Sequence, residues 1–317
     1  MVKRLGIIGF SLGNGHPFSF SAILNGYNHE ELIKANWQVI ADYLSRRDIA
    51  DFGIEGVKVT HAWTQDINLT QQLCRASLIP YPVADITGML ENVDGVIIAR
   101  DDYQTHFELA MPFLQAGLKV FVDKPLSQDL GELNKLQPYL ESGQLMSCSG
   151  MRYATELDKI RQEIAGIGEL RIIYGISPND WEKYGVHLLE AIISIINADP
   201  TAISAVVSEK DVSTVTIETA EKVIIQINNL GPASSGFKLE FIGTKGRLST
   251  EIYDNFSIFK RTLWHFNMMA NTGIAPIPPE ETIKIMKLLI AGRMAINQQE
   301  KVYFSQLERL AGREDSQ

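Results

Sequence analysis

Cysteine is nearly absent from this chain, which has only Cys74 and Cys148 among its 317 residues. Two thiols without metal-type spacing argue against a disulfide framework and against a cysteine-based metal site. No run of residues approaches the ~20 apolar residues of a membrane-spanning helix. The opening MVKRLGIIGF is too short for a signal peptide, because its apolar run stops at Phe10 and a polar, glycine-containing stretch follows. We therefore expect a cytoplasmic protein with no membrane partner and no bound metal.

Positive charge is also scarce, since 29 Lys and Arg residues face 38 Asp and Glu residues and give a formal net charge of -9. This balance repels nucleic acid and anionic lipid, so no nucleic-acid partner is expected. The 45% hydrophobic and 21% charged residues are typical of a folded globular protein rather than a disordered one. The length predicts about two domains.

Short apolar runs alternate with helical stretches over the first ~150 residues, as they do in βαβ units. Residues 1–149 are therefore predicted to form a Rossmann domain with a doubly wound parallel sheet. Helices are predicted from about Ser19, over 105–116 with a perturbation at Pro112, and over 129–142. The predicted strands are 5–10, 57–63, 93–100, 119–123 and 145–149.

The pattern changes in residues 150–317, where strand-like runs follow one another with few helices between them. This succession predicts an α+β domain with an open, mostly antiparallel sheet, which we expect to bind substrate and to mediate oligomerisation. The predicted strands are 202–208, 212–218, 222–227 and 237–242, with a helix near 187–197 and a last helix after Pro278 and Pro279.

The segment 27–56 is longer than a βα connection needs. It carries Trp37, Tyr43 and the pair Arg46 and Arg47. We favour a packed surface insertion, and a lid that contacts a ligand is the alternative.

A glycine-rich turn follows the first predicted strand and reads Gly9-Phe10-Ser11-Leu12-Gly13-Asn14-Gly15-His16. Such a turn can place backbone N–H groups and a helix N-terminus beside a dinucleotide phosphate. The pattern G-x-G-x-x-G is incomplete, because Ser11 and Asn14 occupy the later glycine positions. Taken alone, the turn is equally typical of an ordinary strand-to-helix connection.

The end of the second predicted strand offers one acidic residue, Asp66, where NAD-binding proteins often place a carboxylate on the ribose hydroxyls. A surface carboxylate is the alternative. No carboxylate is clearly placed to bind the ribose, and Arg46 and Arg47 are nearby in sequence. Both NAD and NADP therefore stay open as cofactors.

The strongest local feature is the apolar strand that runs into Asp123-Lys124-Pro125. A lysine at the carboxyl end of a parallel strand lies at the crevice where doubly wound sheets bind ligands. Pro125 restricts the geometry of this turn. A solvated loop lysine is the alternative.

The order of these motifs resembles the Gfo/Idh/MocA dehydrogenases, a family that includes glucose-fructose oxidoreductase and inositol dehydrogenase. The matching segments, which extend over nearly the whole chain, are the glycine turn with His16, Asp94-Gly95-Val96-Ile97-Ile98 with His106, Ala116-Gly117 through Asp123-Lys124-Pro125, Ile167-Gly168, Gly185-Val186-His187 and Ile242-Gly243-Thr244-Lys245-Gly246. The Lys-Pro motif is the more specific of these signals, and the glycine turn is not specific.

The resemblance implies a Rossmann domain that binds NAD or NADP and a second domain that often builds homodimers or homotetramers. It places Lys124 and His187 beside the nicotinamide, where His187 suits a general base and Lys124 can stabilise an alkoxide or relay its proton. The cofactor-binding candidates are Gly9, Ser11, Gly13, Asn14, His16, Asp66, Arg100, His106, Asp123, Lys124 and Pro125.

One departure concerns the carboxylate that the family usually has four residues before this histidine, because Lys183 occupies that position here. Asp180, Glu182 and Glu190 are candidates to replace it. Lys183 itself contacts an anionic substrate, or lies near Lys124 and repels its charge, or is an exposed lysine. Tyr184 is either a proton donor or a packed aromatic. The substrate-binding candidates are Lys124, Arg152, Asn179, Trp181, Lys183 and His187.

The expected function is hydride transfer between a nicotinamide and a secondary alcohol or ketone of a sugar, polyol or related metabolite. Two alternatives stay open. One is a dinucleotide-binding sensor or scaffold without catalysis, which the atypical Ser11, Asn14 and Lys183 suggest. The other is a reductase of C=N or conjugated C=C bonds, which the same fold can host.

Overall fold

The computed structural model describes residues 3–209, 212–232 and 236–307. The chain forms two compact units. The first contains the chain up to Ser127 together with Leu136–Cys148 and Asn255–Pro279. The second contains Gln128–Lys135, Ser149–Asp254 and the chain from Glu280 onward. A single boundary between residues 149 and 150 therefore does not describe the chain, because 255–279 return to the first unit.

The first unit is built on a six-stranded parallel sheet with the strand order β3-β2-β1-β4-β5-β6. The order reverses between β1 and β4, and their carboxyl ends border the crevice in which such sheets bind ligands. The doubly wound sheet expected from the sequence is thus confirmed, and only the two-residue β3 was not foreseen. The strands are β1 Lys3–Ile8, β2 Val57–Trp63, β3 Tyr81–Pro82, β4 Gly95–Ile98, β5 Lys119–Val122 and β6 Leu145–Ser147.

The second unit contains a seven-stranded sheet with the order β12-β11-β7-β10-β9-β8-β13. All neighbours are antiparallel except β7 and β10, which run parallel. The mostly antiparallel sheet is confirmed as well. Its strands are β7 Leu170–Ser177, β8 Pro200–Glu209, β9 Val212–Thr219, β10 Ile224–Leu230, β11 Phe237–Gly243, β12 Arg247–Ile252 and β13 Val302–Tyr303.

The helices differ from the sequence expectation at several places. Helix α1 begins at His16 rather than near Ser19, and α8 begins at Trp181, so His187 lies in its second turn rather than at its start. Helices α2, α3, α4 and α9 were not predicted. The α helices are α1 His16–Asn25, α2 His29–Lys34, α3 Gln38–Leu44, α4 Ile67–Ala76, α5 His106–Gln115, α6 Leu130–Glu141, α7 Asp158–Glu163, α8 Trp181–Ile193, α9 Asn255–Thr272 and α10 Pro279–Gln298.

The insertion 27–56 folds into α2, α3 and a short 3-10 turn within the first unit. Trp37 and Ile40 pack so closely on Gly15 that a Cβ atom there would lie 2.6 to 2.9 Å from their side chains. The ring of Trp37 also contacts Phe10 and Phe18, with centroids 6.1 and 5.8 Å apart. The insertion is therefore packed against the glycine turn, as we favoured.

Trp181 belongs to the core of the second unit, which corrects its place among the substrate-binding candidates. Its side chain is 2% exposed, and the indole N–H donates to the Leu289 carbonyl at 3.1 Å. Gly185 and Gly292 make room for the ring, since a Cβ atom on either would lie within 2.8 Å of indole atoms. A polar ligand has no access to a ring enclosed in this way.

We expect Gly292→Ala to lower the free energy of unfolding, because its Cβ atom would lie 2.4 Å from the Trp181 ring. Overpacking costs about 1–3 kcal/mol, against a gain of about 1 kcal/mol in helix propensity. Urea denaturation measures the net loss. Gly166→Ala is the control, since nothing lies within 4 Å of a Cβ atom there. Equal stability of the two variants would contradict the packing of Trp181.

Candidate active site

The glycine turn links β1, which ends at Ile8, to α1, which begins at His16. Gly13 has φ +83°, and nothing lies within 4 Å of a Cβ atom placed on it, so the turn is open at this point. No side chain caps α1 at Gly15, and its first turn holds no acidic residue. This helix N-terminus therefore has no built-in anion, which suits a phosphate of a bound dinucleotide.

Asn14 supplies a buried polar atom that fits the same ligand. The residue is 5% exposed, and its Oδ1 accepts from the His16 backbone N–H at 2.9 Å. Its Nδ2 has no hydrogen-bond partner among the described residues. A buried amide without a partner is costly, so a phosphate oxygen is a suitable acceptor for it. The residues present thus fit NAD or NADP.

Ser11 connects the glycine turn to the loop that follows β4. Its hydroxyl donates to the Asp101 carboxylate at 2.5 Å, and the Asp101 backbone N–H donates to Ser11 Oγ at 3.1 Å. Ser11 occupies a position where the glycine pattern expects Gly. Its hydrogen bonds to Asp101 join the glycine turn to the loop after β4, and these two loops border the crevice.

The Asp123-Lys124-Pro125 turn follows β5, and its Lys124–Pro125 peptide bond is cis. The Asp123 carboxylate is buried, pairs with Nδ1 of His16 and accepts from the Lys124 backbone N–H at 2.9 Å. Burial alone would raise the pKa of Asp123, but His16 and Lys124 together lower it. This contact between His16 and Asp123 ties the Lys-Pro turn to the first turn of α1.

His106 is fully buried, which corrects its place among the cofactor contacts. Its Nδ1 lies 2.9 Å from the Pro125 carbonyl, and its Nε2 lies 3.1 Å from the Arg100 carbonyl. Burial lowers the pKa of this imidazole. With both ring nitrogens facing backbone oxygens, His106 joins the loops after β4 and β5 and does not face a ligand.

Asp66 and Arg100 have structural partners in the first unit. Asp66 is the N-cap of α4, where its Oδ1 accepts from the Asn68 backbone N–H at 2.8 Å. Arg100 donates from Nε and Nη2 to the Asp102 carboxylate, at 2.8 and 2.5 Å. Both remain at the carboxyl edge of the sheet, and cofactor contact by either stays a prediction.

His187 lies on α8 in the second unit with a defined set of neighbours. Its Nδ1 is 2.6 Å from the Ser149 hydroxyl oxygen. The rings of Tyr184 and Phe237 flank the imidazole, each with a centroid separation of 5.3 Å. Neither Ser149 nor Phe237 was identified from the sequence, because the contacts join positions 38 and 50 residues away from His187.

Arg152 is buried between two carboxylates of the second unit, which corrects its assignment to the substrate rim. Its Nε donates to Glu190 at 2.7 Å, and its Nη1 donates to Glu281 at 2.8 Å. Burial raises the pKa of Glu190, and Arg152 counteracts that effect. Glu190 is thus engaged with Arg152 rather than with His187.

The remaining candidates lie near the start of α8. Asp180 is the N-cap and accepts from the Lys183 backbone N–H at 2.9 Å, while the Lys183 side chain is exposed. Asn179 has φ +57° and exchanges two backbone hydrogen bonds with Gly231, at 2.6 and 3.2 Å. Substrate contact by Asn179 or Lys183 stays a prediction.

Comparison with protein families identifies the first part of the chain. Residues 4–150 match the oxidoreductase family Gfo/Idh/MocA, described as having an NAD-binding Rossmann fold. Over these residues the match agrees with the expected family, and it confirms the expected cofactor class, NAD or NADP. A proposed UDP-kanosamine synthase oxidoreductase subunit from Amycolatopsis mediterranei (strain S699) is 29% identical over 126 residues. That alignment covers 39% of this chain and 34% of the relative, so the chain spans about a third of its length.

Solved structures resemble the whole fold. Myo-inositol 2-dehydrogenase from Lactobacillus plantarum matches with a TM-score of 0.77 and 17% identity over 96% of this chain and 99% of that one. Scyllo-inositol dehydrogenase from Lactobacillus casei, solved with NAD(H) and scyllo-inositol, has a TM-score of 0.76 and 15% identity over 96% and 100% of the two chains. At these identities the likeness concerns the fold.

The described residues contain neither a membrane-spanning helix nor a cluster of side chains suited to a metal ion. No helix in the ranges 3–209, 212–232 and 236–307 has the length and apolar character to span a membrane. Within the same ranges, no group of three or more His, Cys, Asp and Glu side chains is arranged to hold a metal ion.

We expect Asn14→Asp to weaken NAD(H) or NADP(H) binding about tenfold or more, because a carboxylate would face the phosphates across a short distance. Calorimetric titration measures the change. Asn28→Asp is the matched control, since Asn28 caps α2 in the same unit, beyond the far end of the ~15 Å helix α1. Unchanged affinity of Asn14→Asp would place the dinucleotide elsewhere.

We expect Arg152→Met to lower the free energy of unfolding by about 3–5 kcal/mol, because it leaves the buried Glu190 carboxylate without its cation. Arg171→Met removes an exposed pair with Glu169 and should cost no more than about 1 kcal/mol. Chemical denaturation of both variants compares the two pairs. A loss of substrate affinity with full stability in Arg152→Met would restore Arg152 to the substrate site.

Proposed function

Because residues 4–150 match the Gfo/Idh/MocA oxidoreductases, described as having an NAD-binding Rossmann fold, we propose that the chain interconverts a secondary alcohol and a ketone of a polyol or sugar. The observation that carries the proposal is the Asp123-Lys124-Pro125 turn, which sets a lysine beside the carboxyl end of β5 and is anchored to the glycine turn through His16. The inositol dehydrogenases that share the fold act on cyclic polyols by their names, which supports this substrate class.

The residues of the first unit would hold the cofactor. The glycine turn and the N-terminus of α1 bind the phosphates, and the Asn14 amide donates to a phosphate oxygen. The hydrogen bonds between Ser11 and Asp101 hold the glycine turn and the loop after β4 together at the crevice. When bound, the nicotinamide accepts or supplies the hydride.

Lys124 and His187 would handle the proton of the substrate hydroxyl. Lys124 is 7% exposed and its backbone is fixed by the Asp123 carboxylate, so its position is defined before substrate binds. His187 is oriented by Ser149 and by the flanking rings of Tyr184 and Phe237. Positioned acid–base groups of this kind contribute about 10²–10⁴-fold to rate. Tyr184 and Lys183 are secondary candidates for contact with the substrate.

The second unit also carries a surface that supports a homodimer or homotetramer. Ile172 and Ile224 lie opposite each other on β7 and β10, and they are 38% and 42% exposed on the face away from the buried residues. Val206 on β8 is 73% exposed. Association of two such faces would cover these apolar side chains.

We expect Lys124→Ala and His187→Ala each to reduce turnover at least about 100-fold on a substrate found by screening polyols and sugars with NAD+ and NADP+. Lys34→Met, which removes an exposed lysine paired with Glu31, should keep full activity. Melting curves with each cofactor decide between NAD and NADP, since a ligand at 100 times its Kd stabilises by about 2.7 kcal/mol.

Three results would contradict the proposal. Full turnover in both alanine variants would remove the assigned residues from the reaction. A shift in melting temperature without turnover on any alcohol or ketone would favour the sensor or scaffold. Turnover confined to imines or enones would favour reduction of C=N or C=C bonds.

A further inference from the structure

The hydroxyl of Ser149 contacts the candidate acid–base residue His187, and no sequence motif gives it a role. Ser149 ends the stretch that follows β6, and its side chain is 1% exposed. Its Oγ lies 2.6 Å from His187 Nδ1 and accepts from the Met151 backbone N–H at 3.3 Å. These are its two side-chain partners in the described part of the chain.

The direction of the Ser149–His187 hydrogen bond follows from counting donors and acceptors. A serine hydroxyl has one hydrogen to donate and two lone pairs to accept with. The Met151 N–H is a donor, so it occupies a lone pair and cannot take the hydroxyl hydrogen. Because Ser149 is buried, its hydrogen goes to His187 Nδ1, the acceptor that the described residues offer.

We propose that Ser149 is a positioning residue that holds neutral His187 in the tautomer with its hydrogen on Nε2. An imidazole that accepts at Nδ1 must carry its single hydrogen at Nε2. His187 then presents a donor at Nε2. It can donate to a substrate oxygen, but in this form it cannot take a proton there.

A carboxylate at Nδ1 would have the opposite effect, because a carboxylate only accepts and so keeps the hydrogen on Nδ1. The nearby acids do not occupy that place. Glu190 pairs with Arg152, Asp180 caps α8, and Glu182 lies 3.9 Å from Arg293. The exposed Lys183 stands where the family's carboxylate is expected. In this chain the group at Nδ1 of His187 is therefore the donating hydroxyl of Ser149 instead of an accepting carboxylate.

The surrounding contacts fix this geometry. The Arg152–Glu190 ion pair joins the segment that begins at Ser149 to α8 one turn beyond His187. The rings of Tyr184 and Phe237 restrict rotation of the imidazole. The hydroxyl and the ring nitrogen thus keep their places without help from a ligand.

For catalysis, the inference rests on the proposed function and assigns different roles to its two residues. During oxidation of an alcohol, the C–H bond would break with its hydride passing to the bound nicotinamide, and the O–H bond would break with its proton passing to the Lys124 amine. The Nε2–H of His187 would donate a hydrogen bond to the substrate oxygen that carries the developing negative charge. During reduction, the proton returns from Lys124 to that oxygen. His187 therefore stabilises negative charge on oxygen instead of acting as the base.

Nitrogen-15 NMR of histidine-labelled protein tests the tautomer directly, in the absence of substrate and at a pH where the imidazole is neutral. The chain has six histidines, and the spectrum of His187→Gln assigns the signal. We expect the Nε2–H form in the wild-type protein and in Ser149→Thr, which keeps the hydroxyl. Ser149→Ala should add the Nδ1–H form. An Nδ1–H signal in the wild-type protein, or an unchanged tautomer in Ser149→Ala, would overturn the inference.

Kinetics separate this inference from the proposed function. Ser149→Ala should lower kcat about 10-fold to 100-fold with little change in KM, and Ser149→Thr should restore most of it. A change in tautomer with unaltered kcat would overturn the donor role of His187. Absence of turnover in the wild-type protein on every alcohol and ketone would refute the proposed function, while the NMR result still decides the tautomer.

Discussion

The buried carboxylate of Asp123 joins the segments of the first unit that would bind the cofactor. Burying a charge is costly unless it is paired, and here the pair is made by His16, which belongs to the first turn of α1. The same carboxylate fixes the backbone of Lys124. A single interaction therefore sets the glycine turn, the first helix and the lysine relative to one another, and His106 adds a second link from the adjacent loop.

The second unit relies on a comparable arrangement around α8. Arg152 and Glu190 form a buried pair that brings the chain after β6 against the helix, and the Ser149 hydroxyl reaches His187 beside it. In both units a buried carboxylate with a basic partner lies next to a candidate acid–base residue and defines its surroundings. Such pairs contribute little net stability, so their value here is in specifying one geometry.

Much of the fold could be predicted from the sequence because it depends on local patterns. Apolar runs of five to eight residues separated by helical stretches indicated the parallel sheet, and β2 was found with its observed bounds. Helix α4 was not predicted, and its N-cap, Asp66, was considered only as a ribose ligand or a surface carboxylate. The loss of His106, Arg152 and Trp181 from the candidate site has a different cause. Their burial depends on residues far away in sequence, which periodicity does not report.

The return of Asn255–Pro279 to the first unit has a consequence for the order in which the protein can form. Phe259 on α9 makes edge-to-face contacts with His16 and Phe20, with ring centroids 5.0 and 5.1 Å apart, and Phe256 contacts Phe52 of the insertion. The cover over the His16–Asp123 pair thus comes from a helix synthesised more than 100 residues after Lys124. During translation from the N-terminus, the nucleotide-binding half cannot be complete until most of the chain has left the ribosome.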